Sequence, residues 1–344
     1  MSRLTLALDI MGGDNGPHII FSAALKALQQ TPHLFFIFCG PLAIMSQWFN
    51  KQSPYIQARI TLYDCPEVVA MDEAPAHALR HKKESSMRRI LELVNNNEAD
   101  ACVSGGNTGA LLSMSYYVLK TLPGIERPAL ITLIPTINNG KVYLLDLGAN
   151  INCDSEVLFQ YAVMGSVLAE QIANIKQPKI ALLNVGSEEI KGNDQVKQTA
   201  RLLTDCQNIN YIGYVEGHDI FSQKADVIVT DGFVGNIAMK SWEGLVNFLI
   251  QEAKKVSQHN WMFKIVAKIA IPLFRDVYLR MKPDQYNGAS LIGLRGIVVK
   301  SHGDASSEAF LYAIREAIQQ VEMQVPDKIK DKIEAVLTER HKDN

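Results

Sequence analysis

The stretch Ala101-Cys102-Val103-Ser104-Gly105-Gly106-Asn107-Thr108-Gly109-Ala110 passes from a short apolar run, through a glycine loop, into the helical pattern Ala110–Leu119. Free N–H groups at such a turn, backed by the positive end of a helix, form a cradle for an anion. Asn107 and Thr108 add two side chains able to touch a phosphate or a carbonyl oxygen. The loop is neither a Walker loop, since no Gly-Lys-Ser/Thr follows, nor G-x-G-x-x-G.

Moving outward, the same unit recurs. Polar, Gly-bearing loops follow other apolar runs at 11–17 (MGGDNGP), 146–150 (DLGAN), 184–193 (NVGSEEIKGN) and 231–236 (DGFVGN). Five such loops exceed what turn chemistry requires. Strands are expected at Leu4–Ile10, Leu34–Cys39, Arg59–Tyr63, Ala101–Ser104, Ala129–Ile134, Val142–Asp146, Lys179–Asn184, Tyr211–Tyr214, Val227–Thr230 and Gly296–Lys300. Most are near-continuous apolar runs, as suits strands covered on both faces. Helical patterns lie between them at Ile19–Gln29, Ser86–Asn95, Ala110–Leu119, Glu156–Ile172, Asp194–Cys206, Asn236–Val256 and Ser306–Val321. The alternation predicts an α/β fold: a largely parallel sheet with helices on both faces. No linker or repeat divides the chain, so residues 1–344 read as a single α/β catalytic domain with room for two lobes. Ligands in such folds bind beyond the carboxyl ends of the strands, where these loops lie.

Composition narrows the chemistry. The chain has 344 residues, 47% hydrophobic, with a net charge of −2, which excludes a disordered chain. A near-neutral balance gives no overall attraction for nucleic acid. Five widely spaced cysteines without a C-x-x-C pair argue against zinc or a disulfide framework. No metal or cofactor is expected. No apolar run reaches the roughly 18–20 residues needed to span a bilayer, and the N-terminus has too short an apolar run for a signal peptide. H-E-x-x-H, G-x-S-x-G and an EF-hand loop are absent.

Several residues stand out as candidates. Asp9 and Asp14 flank Gly12 and Gly13, where they could position a donor, hold a metal or cap the helix after Pro17; a plain turn is the alternative. Lys191 sits between Gly186 and Gly192 beside Glu188 and Glu189, a fair anion ligand. Asp231 and Asn236 close another strand. His302 follows the last strand between Ser301 and Gly303 and could titrate usefully. The run 80–89 holds Arg80, Lys82, Lys83, Arg88 and Arg89 against Glu84 alone. A solvated helix face is its usual fate; phosphate or an acidic protein is the sharper reading. Segment 254–282 carries seven basic residues against Asp276 alone, with Trp261, Met262, Ile265, Val266, Ile269 and Leu273 at helical spacing. Pro272 breaks the pattern into two short amphipathic helices. Core, dimer interface and membrane surface all remain open for it.

Taken in order, these loops resemble the bacterial acyl-acyl carrier protein:phosphate acyltransferase (PlsX) family over nearly the whole chain. The resemblance rests on Asp9–Asp14 with Pro17, Ala78–Met87, Ser104–Leu112, Gly124–Leu130, Leu145–Asn150, Leu182–Asn193, Asp226–Lys240, Asn287–Gly296 and Lys300–Gly303. Ile10 and Gly105 stand where the family usually has Ala. The resemblance implies a fold similar to isocitrate/isopropylmalate dehydrogenases and phosphotransacetylases, with a protruding amphipathic helical hairpin, and a homodimer. It implies acyl transfer from acyl carrier protein to inorganic phosphate, without nicotinamide or obligatory metal. The product would pass to a glycerol-3-phosphate acyltransferase. The expected location is cytoplasmic, peripherally on the inner face of the cell membrane.

On that basis Asn107, Lys191, Asn236 and His302 are the expected catalytic groups. Gly106, Thr108, Gly109, Asp9, Asp14 and Asp231 are expected to bind substrate. The 80–89 cations would dock the acidic carrier, and Trp261, Phe263, Ile265, Ile269 and Phe274 would touch the membrane. Competing readings are a CoA-dependent phosphotransacetylase, a decarboxylating hydroxyacid dehydrogenase by fold analogy, and a membrane-attached scaffold for lipid-synthesis enzymes.

Overall fold

The computed structural model describes residues 3–258 and 283–342. Within them, eleven strands form one sheet: β1 (Leu4–Asp9), β2 (Leu34–Gly40), β3 (Ile60–Asp64), β4 (Ala101–Ser104), β5 (Ala129–Pro135), β6 (Lys141–Leu145), β7 (Ile180–Leu183), β8 (Tyr211–Val215), β9 (Val227–Val229), β10 (Ala289–Ile292) and β11 (Ile297–Lys300). Their spatial order is β3-β2-β1-β4-β11-β10-β5-β6-β9-β7-β8. The helices are α1 (Pro17–Gln30), α2 (Leu42–Phe49), α3 (Pro54–Gln57), α4 (Pro75–His81), α5 (Ser86–Asn95), α6 (Thr108–Leu119), α7 (Ser155–Gln171), α8 (Asp194–Thr204), α9 (Gly232–Gln258), α10 (Ser307–Glu322) and α11 (Val325–Lys342).

Two parallel blocks run in opposite directions. β3, β2, β1, β4 and β11 form one, and β6, β9, β7 and β8 the other. Between them β10 and β5 pair antiparallel with each other and with their neighbours. Register then decides where ligands can sit. Lys300, the end of β11, pairs with Ala289, and Leu145, the end of β6, pairs with Ile131, itself opposite Ser290. The carboxyl ends of the two opposed blocks therefore meet on adjacent rows at the sheet centre. Loops that topology would send to opposite edges converge there.

Alternation along the strands builds the layers. Leu6 and Leu8, Ala101 and Val103, and Ile297 and Val299 point to one face under α1 and α10. Tyr143, Leu145, Ile180, Leu182, Val227 and Val229 pack with α7 and α11. The intervening residues Ala7, Cys102, Val298, Leu144, Ala181 and Ile228 join one core with α5 and α6 that spans both blocks. All five cysteines are buried as free thiols.

Ten strands fall where the apolar runs predict them, within a residue or two. The eleventh, β10, is only four residues long between Gly288 and Gly293. α11 also escapes the sequence pattern: its charge is dense, yet Val325, Ile329, Ile333 and Val336 form a buried stripe. The 259–282 part of the amphipathic segment, with Trp261, Phe263, Ile265, Ile269 and Phe274, lies outside the described residues. Among the described residues no helix is long and apolar enough to cross a membrane.

Candidate functional site

The convergence of strand ends leaves a cleft of about 330 Å³. Thr108, Gly109 and Leu112 of α6 form one wall, and Lys300, Ser301 and His302 another. Leu147 and Gly148 of the 146–150 loop and Asn236, Met239, Lys240 and Glu243 of α9 close it from the opposed block.

The first wall owes its shape to a buried carboxylate. Asp9 accepts hydrogen bonds from Ser86 Oγ (2.6 Å), Ser104 Oγ (2.7 Å) and the Met11 amide (3.2 Å). Ser104 Oγ in turn accepts from the Gly106 amide at 3.0 Å. Burial pushes the Asp9 carboxyl above its ordinary value, against the pull of those hydroxyl bonds. Asp9 thus fixes the glycine turn from behind; it does not line the cleft. It does not cap α1 either, which opens at Pro17 behind Gly16 with no side-chain cap bond.

The glycines here serve backbone-to-backbone packing. A Cβ on Gly105 would lie 2.9 Å from the Gly12 oxygen, and one on Gly12 would lie 2.8 Å from the Gly106 nitrogen. Gly13, at φ +120°, would put a Cβ 3.0 Å from the Gly303 oxygen. The Asp14 amide donates to that same oxygen at 2.7 Å. Three loops, after β1, β4 and β11, are locked against each other by the absence of side chains.

Asn107 sits at the start of α6 but spends its side chain internally. Its Oδ1 caps the helix by accepting from the Ala110 amide (3.1 Å), and its Nδ2 donates to the carbonyls of Ala70, Met71 and Glu73 at 3.2, 2.9 and 2.8 Å. The expected phosphate donor therefore works as an N-cap and a clamp on the 70–73 loop. Beyond it, the amides of Thr108 and Gly109 have no partner among the described residues, and Thr108 is exposed to the cleft. Such unpaired amides at a helix start favour an anion.

In the second block, Asp146 is buried and accepts from the amides of Leu130 (2.9 Å), Ala149 (3.0 Å) and Asn150 (2.7 Å), and from Asn150 Nδ2 (3.2 Å). The loop it shapes brings Gly148, at φ +119°, against Asn236. Asp231 Oδ1 accepts from the Val234 amide at 2.8 Å and so starts α9. The structure thus brings Thr108, Gly109, Asn236 and His302 to one cavity, with Asp9, Gly106, Asp14 and Asp231 in the supporting loops.

Lys191 is not among them. It is exposed on its loop and paired with Glu188 at 2.8 Å, which holds its ammonium above the ordinary range. The basic run 80–89 also divides. Arg88 and Arg89 pair with Glu92 at 2.9 and 2.8 Å, and Arg89 reaches Glu84 at 3.2 Å. The two guanidiniums lie over the rings of Tyr117 and Tyr63. Arg80 and Lys83 remain exposed and Lys82 half-buried, so the five cations do not form one free face.

Two cleft residues escaped the sequence. Glu243 of α9 lies 3.6 Å from His302 Nε2, an ion-pair distance. Lys300 is 8% exposed at the end of β11 and lines the cleft. Glu243 lies 59 residues before His302, and Lys300 reads as the last residue of a strand, so neither stood out. Among the described residues no cluster of acidic, His or Cys side chains forms a metal site.

Comparison with known proteins agrees with this architecture. A family described as fatty acid synthesis protein matches residues 4–328. A phosphate acyltransferase from Pseudoalteromonas atlantica is 61% identical over 99% of this chain and all of that protein. One from Shewanella pealeana is 53% identical over 98% of both chains. A solved phosphotransacetylase from Streptococcus pyogenes, 18% identical, superposes with a TM-score of 0.61 over 93% of this chain and 94% of its own, a likeness of fold. The central strands, the converging loops and the cleft they build are those of a protein that belongs to the fatty acid synthesis protein family.

Proposed function

We propose that this protein transfers a fatty acyl group from acyl carrier protein to inorganic phosphate, giving an acyl phosphate for phospholipid synthesis. The observation that carries the reading is the cleft itself, where the unpartnered Thr108 and Gly109 amides share a cavity with Asn236 and His302. The relatives' name, phosphate acyltransferase, supports the same chemistry.

Phosphate is already a nucleophile near neutral pH, so no covalent enzyme intermediate is needed. One phosphate oxygen attacks the thioester carbonyl carbon, and the carbonyl oxygen takes the negative charge. The Asn236 side chain stabilises that oxyanion while the amide donors at the α6 start hold the phosphate; an oxyanion donor is typically worth about 10²–10³ in rate. The C–S bond then breaks, and His302, held by Glu243, gives its proton to the leaving thiolate. Alignment in the cleft supplies the rest.

Arg80, Lys82 and Lys83 are the cations proposed to meet the acidic carrier. The exposed apolar residues Phe233, Ile237, Leu245, Phe248 and Leu249 along α9 favour a covering second copy, a homodimer. Segment 254–282, with its basic and aromatic composition, is the proposed contact with the inner membrane surface. A glycerol-3-phosphate acyltransferase would consume the product there.

The test is incubation with acyl carrier protein thioester and labelled phosphate. Labelled acyl phosphate is expected, formed faster than from acyl-CoA in a parallel arm. No labelled product from either donor would overturn the reading, and preference for acyl-CoA would redirect it to the phosphotransacetylase type.

A further inference from the structure

The geometry points to Lys300 as the residue that grips the phosphate nucleophile in the cleft. This inference rests on the acyl transfer proposed above and deepens it.

Lys300 ends β11, in register with Ser104 of β4 and Ala289 of β10. Its ammonium donates to the carbonyl oxygens of Ser301 and Gly105, the latter at 3.5 Å. Those bonds use two of three protons and fix the head group at the base of the glycine turn. The side chain lines the cleft that the α6 start opens into. No carboxylate lies within ion-pair distance of it among the described residues. A buried cation without a counter-ion is costly unless a ligand supplies one. The nearby acids, Asp9, Asp14 and Asp304, act on it only through space. Across the cleft Glu243 lies 3.6 Å from His302, and Lys240 is a second lysine lining the same space.

A phosphate dianion fits what is missing. It takes the third ammonium proton on one oxygen and the Thr108 and Gly109 amides on others, and leaves an oxygen free to attack. An ammonium suits this task because it meets phosphate as a point charge with no demand for a planar fork. The same burial that leaves Lys300 without a counter-ion also brings its ammonium down to about 8. The grip should therefore weaken as pH climbs past that value. Asp9, Asp14 and Asp304 oppose the fall, and Lys240, Glu243 and His302 face the same space from across the cleft.

The experiment measures phosphate and acyl-carrier KM separately for wild type, Lys300→Met and Lys300→Arg. Charge-assisted hydrogen bonds of about 1.5–3 kcal/mol correspond to roughly 10- to 150-fold in binding. Lys300→Met should raise the phosphate KM by about that factor and leave the acyl-carrier KM nearly unchanged. Above pH 8 the wild-type phosphate KM should climb, and in Lys300→Arg, which stays charged, it should not. Thermal protection by inorganic phosphate alone gives a readout without acyl donor: wild type should be stabilised and Lys300→Met should not. An unchanged phosphate KM and equal protection in Lys300→Met would overturn the assignment. Should wild type make no acyl phosphate yet still be protected by phosphate through Lys300, the acyl-transfer reading falls and the phosphate site stands.

Discussion

Asp9 and Asp146 occupy matching places in the two opposed blocks. Each stands at or just past the carboxyl end of a strand, each is buried, and each holds a glycine-bearing loop beside the cleft. They differ in their donors. Asp9 is held mainly by two hydroxyls, those of Ser86 and Ser104. Asp146 is held by three backbone amides and one side-chain amide. A hydroxyl can turn and accept; an N–H cannot. The first centre is therefore adjustable, and the second accepts only a carboxylate.

That contrast is sharpest at the glycines. The Cβ of an alanine at 235 would fall on the Asp146 carbonyl oxygen, whose residue is fixed by four bonds. Gly235→Ala should cost about 3 kcal/mol or more, at the upper end of overpacking effects. Gly106→Ala meets the Met87 side-chain tip at 2.5 Å, which can swing aside, and should cost about 1–2 kcal/mol. Urea midpoints for the two variants decide the matter; equal losses would break the contrast.

Substituting the carboxylates comes next in size. In Asp146→Asn one new N–H₂ must confront an N–H donor with no acceptor to spare, at a cost of about 2–3 kcal/mol. In Asp9→Asn the amide nitrogen can donate to a turned Ser104 hydroxyl, and about 1 kcal/mol is expected. Calorimetric midpoints near pH 7 test the order, and a larger loss at Asp9 reverses the argument.

Much of this was legible in the sequence because strand and loop signals are local. Apolar runs of four to seven residues and the glycine loops behind them placed the sheet and the cleft walls. The failures were long-range. Gly12, Gly105 and Gly106 signal close approach, but what approaches is another loop of this chain. Asn107 looks like a free donor until the 70–73 carbonyls arrive from 34–37 residues away. Lys191 differs from these: it is exposed, paired with Glu188 three residues away, and not among the residues that line the cleft. Lys300 stood within the Lys300–Gly303 stretch but was not singled out, since only the register of β11 against β4 and β10 shows that its strand ends at the cleft.

The smallest effect is read at the Asp9 carboxyl. Burial holds its carboxyl above the ordinary value, so the neutral form is favoured in the folded chain. The stabilisation from that group is complete below the unfolded carboxyl pKa of about 3.9 and is lost as pH rises through the raised value. Asn at position 9 does not titrate. The stability gap between wild type and Asp9→Asn should therefore narrow as pH rises from about 4, by at most about 1.4 kcal/mol per unit for one proton. Urea unfolding of both proteins at several pH values measures the gap. A gap that widens with pH would mean that the hydroxyl and amide bonds outweigh burial at Asp9, removing the adjustability on which the comparison rests.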